Sequence, residues 1–527
     1  MKTSVRMQSG ILSVAAAVGL LSGLAAAQVA DVKVTTDTSI DCSSIQAIAC
    51  DLYRDCKTDQ DKAIATWYFV RRVMFHWPHI PTWDTVELIN SYGIGLCGYQ
   101  SQAYAQICQA GGLKARTLHM PGHVLAEVWY DGDWHFFDCQ VGWFAFKKVA
   151  GPDGKDRLVV ASHEDIAKDP SIVLDAVKDG RASEPFFQCR ANDASSDKPD
   201  NGVEYAKKAQ PNGPAKPCDT RLVINLRRGE SITRIWGNEG KSWYDRAAVE
   251  KQPGFLFLHH PCTAGAIDEN DPVNWPYWKP YAVQTTNKQG KLRYGPKRLF
   301  GNGRMEYAPN LATDAFREGL APNGLEGVRA RHEDRKGPNL HPAAVGRTGA
   351  AVFEINCPYV AVDAWLDLSG IRQGAKDVVA VYARSAKDKA DDWKEVWRAD
   401  SEGAFKAEQV SLKDIAWEQH RYFVKIELRA ASDVSDAGVD TIHLTTVFIN
   451  NIYALPYFMP GKNTIRVTAA DKADLKHNKL TLTYAWQEEG KDKQLAKRID
   501  KVPFETTVHV AGDEIPRMKS VTLAVAP

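Results

Sequence analysis

Little in this sequence carries net charge. Sixty-six lysines and arginines stand against 65 aspartates and glutamates, a formal net charge of +1. That balance lacks the electrostatic footprint of a nucleic-acid binder or a polybasic membrane contact, so neither partner is expected. Long apolar runs are also missing. The one exception is the 14-residue stretch from Ile11 to Leu24, with Lys2 and Arg6 before it and Ala25-Ala26-Ala27 after it. It is short for a membrane span, and no later stretch is apolar enough to be one. A positive start, an apolar middle and a small-residue junction make a cleavable secretory signal over residues 1–27. No Cys stands near that junction, so no lipid anchor is expected. The mature chain is expected to start near Gln28 and to be secreted or periplasmic. Without Lys2 and Arg6 its net charge is −1. No fixed-period repeat and no long low-complexity tract interrupts the remaining residues. Roughly 500 of them are too many for one core, and two to four domains are expected.

Cysteine is present in modest number: Cys42, Cys50, Cys56, Cys97, Cys108, Cys139, Cys189, Cys218, Cys262 and Cys357. An even count in an exported chain predicts five disulfides. A free nucleophilic Cys97 would leave nine, and so at least one further unpaired thiol. The 15 tryptophans suit β-sheet domains and sometimes carbohydrate contact.

Apolar residues Ile64, Trp67, Val70 and Met74 recur with Arg71 at helical spacing. A helix is therefore predicted over 58–77, capped by Thr58 with Asp59 and Asp61 in its first turn and stopped by Pro78 and Pro81. A second helix is predicted from Cys97 to Ala110, ended by Gly111-Gly112. Residues 191–220 are polar and rich in Pro, Asn and Lys and read as a linker, which a Cys189–Cys218 bridge could close. Short alternating strands follow at regular spacing, the sign of antiparallel sandwiches. The expected division is a catalytic domain over 28–190, the linker, a β-rich domain over 221–345, a β-sandwich over 346–460, and strands over 461–527 that complete or extend it. The loop Ala266–Pro272, "AIDENDP", has four side chains able to bind Ca²⁺ but is read as an acidic surface loop.

The chemistry-bearing stretch runs from Gly95 to Cys139. Cys97 stands where the Gly-rich "YGIGLCG" turn meets a helix, so its thiol faces unpaired N–H groups and the positive end of the helix dipole. That setting favours the thiolate, the form that attacks a carbonyl carbon. The Cys97 N–H could serve as an oxyanion donor. Asp131-Gly132 lies between two strand-like runs and signals a type I′ hairpin. With Tyr130 and Asp133 as the flanking pair, His123 falls opposite Gln140 and Asp138 opposite Leu125. His123 and Asp138 are then diagonal neighbours on one face, roughly 7–8 Å apart at the backbone, and the Cys97 helix is expected to pack against that face. The roles follow: Cys97 as nucleophile, His123 as the base that takes its proton and later protonates the leaving amine, Asp138 as the group that orients the imidazole. The reaction class is acyl transfer through a thioester. Taken singly, a Cys in an exported chain is most often half of a disulfide, and a lone His or Asp is most often structural; the ordered set shifts the balance. Cys139 faces the other way and is assigned a structural role, with Cys108 considered as its disulfide partner. Glu127 shares the His123 face and is read as a solvated charge.

At these residues the sequence resembles the transglutaminase-like superfamily. The matching residues are Gly95-Leu96-Cys97, "AGGLKARTL" (Ala110–Leu118), Gly122-His123, Glu127-Val128-Trp129, and Asp131-Gly132-Asp133-Trp134 with Asp138. The predicted helix over 58–77 also resembles the family's entry helix. The likeness spans about residues 58–145. It implies a papain-like α+β fold, carries Cys97, His123 and Asp138 over as the catalytic triad, and implies no cofactor. His119 and Pro121 depart from the family's plainer loop and leave the substrate groove open. Tyr92, Trp83 and Gly98 are the remaining oxyanion or substrate candidates. Family membership leaves peptidase, amide hydrolase, deamidase and cross-linking transglutaminase open, on protein, peptide or glycopeptide substrates. Residues 346–460 resemble a galactose-binding-type jelly roll, which implies glycan contact. Two rivals stand beside the enzyme: a non-catalytic glycan- or protein-binding protein with a degenerate transglutaminase-like domain, and a metal site built from His119, His123, His135 and Cys97. The predicted register opposes the latter by placing His123 and His135 on opposite faces.

Overall fold

The computed structural model describes residues 29–76, 82–120, 122–140, 143–151, 153–176, 179, 181, 199–243, 285–286, 292–293, 300–470, 475 and 478–527. The fold is mostly β, with 46% of the described residues in strands. An α+β unit comes first and carries the chemistry-bearing residues. The acidic loop Ala266–Pro272, Cys189, Cys262 and the expected leader lie outside the described residues.

Helix α1 (Ile45–Leu52) is capped by Ser44. Helix α2 (Asp59–Val73) is the predicted one, but it ends four residues earlier than expected because Phe75–His76 is a strand. The Thr58 side chain accepts from the Asp61 N–H, and Asp61 accepts in return from the Thr58 N–H at 3.0 Å. Helix α3 (Thr85–Glu87) continues into a single wide π turn, Leu88–Tyr92. Gly93 closes that turn at φ 64°, where a Cβ would sit 2.9 Å from the Asn451 side chain, so only glycine fits. Asn451 needs that approach because its amide donates to the Val73 and Ile89 carbonyls at 2.8 and 2.7 Å. Short strands β2 (Phe75–His76) and β3 (Ile94–Gly95) pair in parallel and deliver the chain to helix α4 (Cys97–Ala110).

Four antiparallel strands follow α4: β4 (Lys114–Met120), β5 (His123–Tyr130) and β6 (Asp133–Phe137), joined later by β9 (Gln210–Pro211). The order is β6-β5-β4-β9. Tyr130 pairs with Asp133, and Asp131 and Gly132 take φ of 50° and 84°, the predicted tight hairpin. One face of this sheet, with Ala115, Ala126, Val128 and Phe137, packs on α4; the Tyr104 and Phe137 rings stand 5.3 Å apart. The other face, with Leu118, Leu125 and Phe136, packs on α5 (His163–Lys168), α6 (Ser171–Leu174) and α7 (Pro199–Lys208). The hairpin β7 (Phe146–Ala150) and β8 (Asp156–Val160) bridges β6 and α5.

Two expectations are corrected here. Residues 199–211 of the expected linker are α7 and β9: Val203, Ala206 and Ala209 are buried and Pro211 pairs with Leu118. The polar composition hid a helix whose apolar stripe is only three residues wide. The described cysteines, Cys42, Cys50, Cys56, Cys97, Cys108, Cys139, Cys218 and Cys357, are free thiols. Cys108 and Cys139 are fully buried core groups, and burial pushes the Cys108 thiol up to about 12 and Cys139 well up.

The rest of the chain is sandwich. Most of the C-terminal strands join one 14-stranded sheet, while Gly461–Thr468 and Phe504–Val510 form a separate three-stranded sheet with Lys33–Thr36. Phe300–Tyr307 pairs with Glu230–Ile235 on one side and Ala437–Asn451 on the other, and Arg517–Val525 joins beyond Glu230–Ile235. The 24-residue strand Gly349–Arg372 shifts register between Asn356 and Ala361, at Cys357-Pro358. Its first half pairs with Gln419–Arg429 and its second with Ala437–Asn451 and Gly403–Ser411, which wraps two layers around the core of Phe353, Leu366, Ile426 and Leu444. The N-terminal strand β1 (Lys33–Thr36) pairs with Gly461–Thr468, so residues before the α+β unit complete a C-terminal layer.

Candidate functional site

Helix α4 starts abruptly. Leu96 is extended (φ −70°, ψ 173°) and no side chain caps the helix, so the first-turn N–H groups are left for whatever approaches Cys97. His123 opens β5, and Asp138 follows the last residue of β6. Both therefore sit at the same end of the sheet, past Ala126 with Phe137, the last pair of the β5–β6 ladder, while His123 still pairs with Met120 of β4. His123 is 4% exposed and Asp138 fully buried. His123 Nε2 meets Asp138 Oδ2 at 2.6 Å. The Asp138 Oδ1 accepts from the Gln140 N–H at 2.9 Å. With Nε2 on the carboxylate, Nδ1 is the ring nitrogen that serves the thiol.

The electrostatics link all three groups. Burial works against the Cys97 thiolate, but the hydrogen bond and charge of His123, with the Val124 N–H, outweigh it and bring the thiol below its ordinary value. Burial likewise opposes the imidazolium, but the Asp138 carboxylate and the Cys97 sulfur overcome it and raise His123 to about 9. Between those two values the pair is thiolate and imidazolium.

No family model matches the sequence, and no curated protein matches it. Among solved structures, a pilus backbone from Streptococcus pneumoniae aligns over 35% of this chain and 74% of that chain, at 12% identity and a TM-score of 0.09. A score that low carries no argument about fold.

Helix α2 holds the site from behind. The Trp67 indole donates to the Asp138 carbonyl at 2.8 Å, and the Arg71 guanidinium to the Cys139 carbonyl at 3.1 Å. These residues lie four apart and meet the chain just where it leaves β6. The helical spacing in the sequence marked both as inward-facing, but a role in fixing Asp138 had no local signal.

The remaining candidates separate. Trp83 is 58% exposed and stacks on Tyr99 at 3.7 Å, with its ring edge 3.8 Å from where a Cβ on Gly98 would lie. Trp83 and Gly98 thus stand together at the start of α4. Tyr92 does not join them. It is buried edge-on against Trp243 at 5.0 Å, and its hydroxyl faces Glu87 and Glu418 at the contact with the large sheet.

Two further readings are corrected, and the placing of His135 apart from His123 holds. Helix α4 packs on the Ala126/Val128 face, opposite to the face expected for it; Cys97 reaches His123 around the end of the sheet instead of across it. Glu127 is no solvated charge: it is fully buried, takes Arg116 at 2.7 Å on one oxygen and His163 Nδ1 at 2.6 Å on the other. The alternation placed Glu127 inward-capable, but Arg116 and His163 as partners needed the fold. His135 lies in a separate environment, stacked on Tyr130 at 3.6 Å with its ring nitrogens on the Val160 and Tyr130 carbonyls, which removes it from any metal set with His123. Among the described residues, Asp314, His332 and Glu333 come close enough to share an ion, but all are exposed and the two carboxylates already pair with Arg317.

Proposed function

We propose that this protein is a cysteine-dependent acyl-transfer enzyme acting on amide bonds of proteins or peptides through a thioester on Cys97, in a transglutaminase-like unit exported from the cytoplasm. The observation that supports the reading is the buried His123–Asp138 contact at 2.6 Å beside a thiol whose acidity His123 raises. In the first step the Cys97 sulfur attacks the amide carbonyl carbon, and the oxygen gathers negative charge at the uncapped start of α4, where the Cys97 and Gly98 N–H groups lie. The intermediate collapses as the C–N bond breaks and His123 gives its proton to the departing amine. Water or a second amine then attacks the thioester, loses its proton to His123, and releases Cys97. Asp138 keeps the ring oriented and its charge balanced in both halves. Trp83 and Tyr99 form an exposed aromatic wall next to the nucleophile, suited to an apolar or glycosylated segment of the substrate.

Incubation with glutamine-containing peptides, glycopeptides and a primary amine, followed by mass spectrometry of the intact protein, tests this. A hydroxylamine-sensitive adduct on Cys97 that disappears in Cys97→Ala is the expected result. Cys97 found in a disulfide, or turnover unchanged in Cys97→Ala, overturns it; in that case retained glycan or protein binding by the variant would favour a binding protein.

A further inference from the structure

The strand Glu230–Ile235 points Glu230, Ile232 and Arg234 into the core in alternation. The two charges on that row fare differently. Glu230 is met by Arg227, Nη2 to Oε1 at 2.7 Å and Nε to Oε2 at 3.1 Å. Arg234 is 6% exposed, and its Nε and Nη2 groups have no hydrogen-bond partner. The neutral Tyr359 hydroxyl meets it and Tyr484 lies near, and among the described residues no carboxylate pairs with it. Leaving a guanidinium buried without a counter-charge is costly.

Arg234 lines a pocket of ≈ 40 Å³ where the N-terminal segment, the α+β unit and the large sheet meet. Ser43, Asn90 and Tyr359 line it too, and the Ser43 hydroxyl is likewise buried without a partner. Asp41 lies on the wall but is committed elsewhere: Oδ2 faces the Lys33 ammonium at 3.4 Å and Oδ1 accepts from the Ser43 N–H at 2.9 Å. The pocket therefore offers a positive charge and three unmet donor groups, with no negative charge to spare. It has room for an ion and little more.

We propose that this pocket is a binding site for a small monovalent anion, a halide or a short carboxylate, held by Arg234 Nε and Nη2 and the Ser43 hydroxyl. The ion supplies the counter-charge that the chain does not, and so fastens the segment around β1 to the sheet and to the π turn that precedes Cys97. It is independent of the chemistry proposed for Cys97.

Thermal unfolding of the full mature chain in sodium chloride, bromide or acetate, each against sodium gluconate at fixed ionic strength, tests the site. Gluconate is too large to enter. A saturable rise in Tm of roughly 2 °C or more is expected with the small anions, and the chloride and acetate arms separate halide from carboxylate. Arg234→Met should remove the saturable part. Equal melting in all salts, or a saturable rise that survives in Arg234→Met, overturns the proposal. Should that variant fail to fold, crystals of the unsubstituted protein grown in bromide decide: an anomalous peak at Arg234 upholds the site, and water alone in the pocket refutes it.

Discussion

The four-stranded sheet carries two buried imidazole–carboxylate pairs, and they differ in what stands on the far side of each. His123 with Asp138 and His163 with Glu127 both close at 2.6 Å. Glu127 is already neutralised by Arg116, whose guanidinium also lies over the Trp134 ring at 3.8 Å, so His163 completes a network under α5. Asp138 is held by backbone groups and directs its charge through His123 to a thiol at the start of a helix. A short contact between a carboxylate and a histidine is thus no sign of chemistry by itself. The nucleophile at an uncapped helix end, with open access beside Trp83, distinguishes one pair from the other.

Substitution should separate the pairs most sharply at Cys97. Cys97→Ala is expected to lower turnover by a factor on the order of 10⁴–10⁶ with no change in urea midpoint. Asp138→Asn keeps the shape but donates where an acceptor is needed, and should reduce kcat by on the order of 10²–10⁴. Glu127→Ala should do the reverse. It leaves Arg116 and His163 facing a buried gap, so a loss of about 3–5 kcal/mol in unfolding free energy is expected, with kcat per folded molecule nearly kept. If Glu127→Ala abolishes turnover in protein that is still folded, the two pairs are not functionally distinct and the contrast fails.

The hairpin shows how far sequence reasoning carries. Asp131-Gly132 fixes Tyr130 opposite Asp133, and that register, read from two residues of turn chemistry, persists to Ala126 and Phe137. It then stops. Asp138 leaves the ladder to bridge Trp143, so its reach to His123 is set by chain exit and by Trp67 and Arg71, contacts about 70 residues away that no local pattern encodes. The same limit misled the reading of α4. Alternation shows which residues share a face; it does not show which face a helix will choose, and here Tyr104 of α4 lies against Phe137 on the Ala126 face. In the β region, alternation made the strands legible one by one. The union of most of them into one sheet, through pairings such as Ser231 with Ala524, and the loan of β1 to Gly461–Thr468, through Lys33 with Thr468, depended on partners far apart in the chain.

The least drastic probe is pH, and it acts on one pair alone. With His123 raised to about 9 and Cys97 brought below its ordinary value, the thiolate forms at lower pH than in a free cysteine. Alkylation by iodoacetamide needs only the thiolate. Its rate should therefore rise to a plateau at a pH below the ~8.5 of a free cysteine and stay there. Acyl transfer also needs the imidazolium to protonate the departing amine, so kcat/KM should rise over the same range and then fall as pH passes about 9. In His123→Ala the favourable interaction vanishes while burial of the thiol remains. The alkylation curve should move to higher pH, and labelling at pH 7 should slow, by about tenfold for each pH unit that the curve moves. An alkylation profile that is the same with and without His123 would mean that the imidazole does not set the acidity of the thiol, and Cys97 would then be no different in kind from the free thiols elsewhere in the fold.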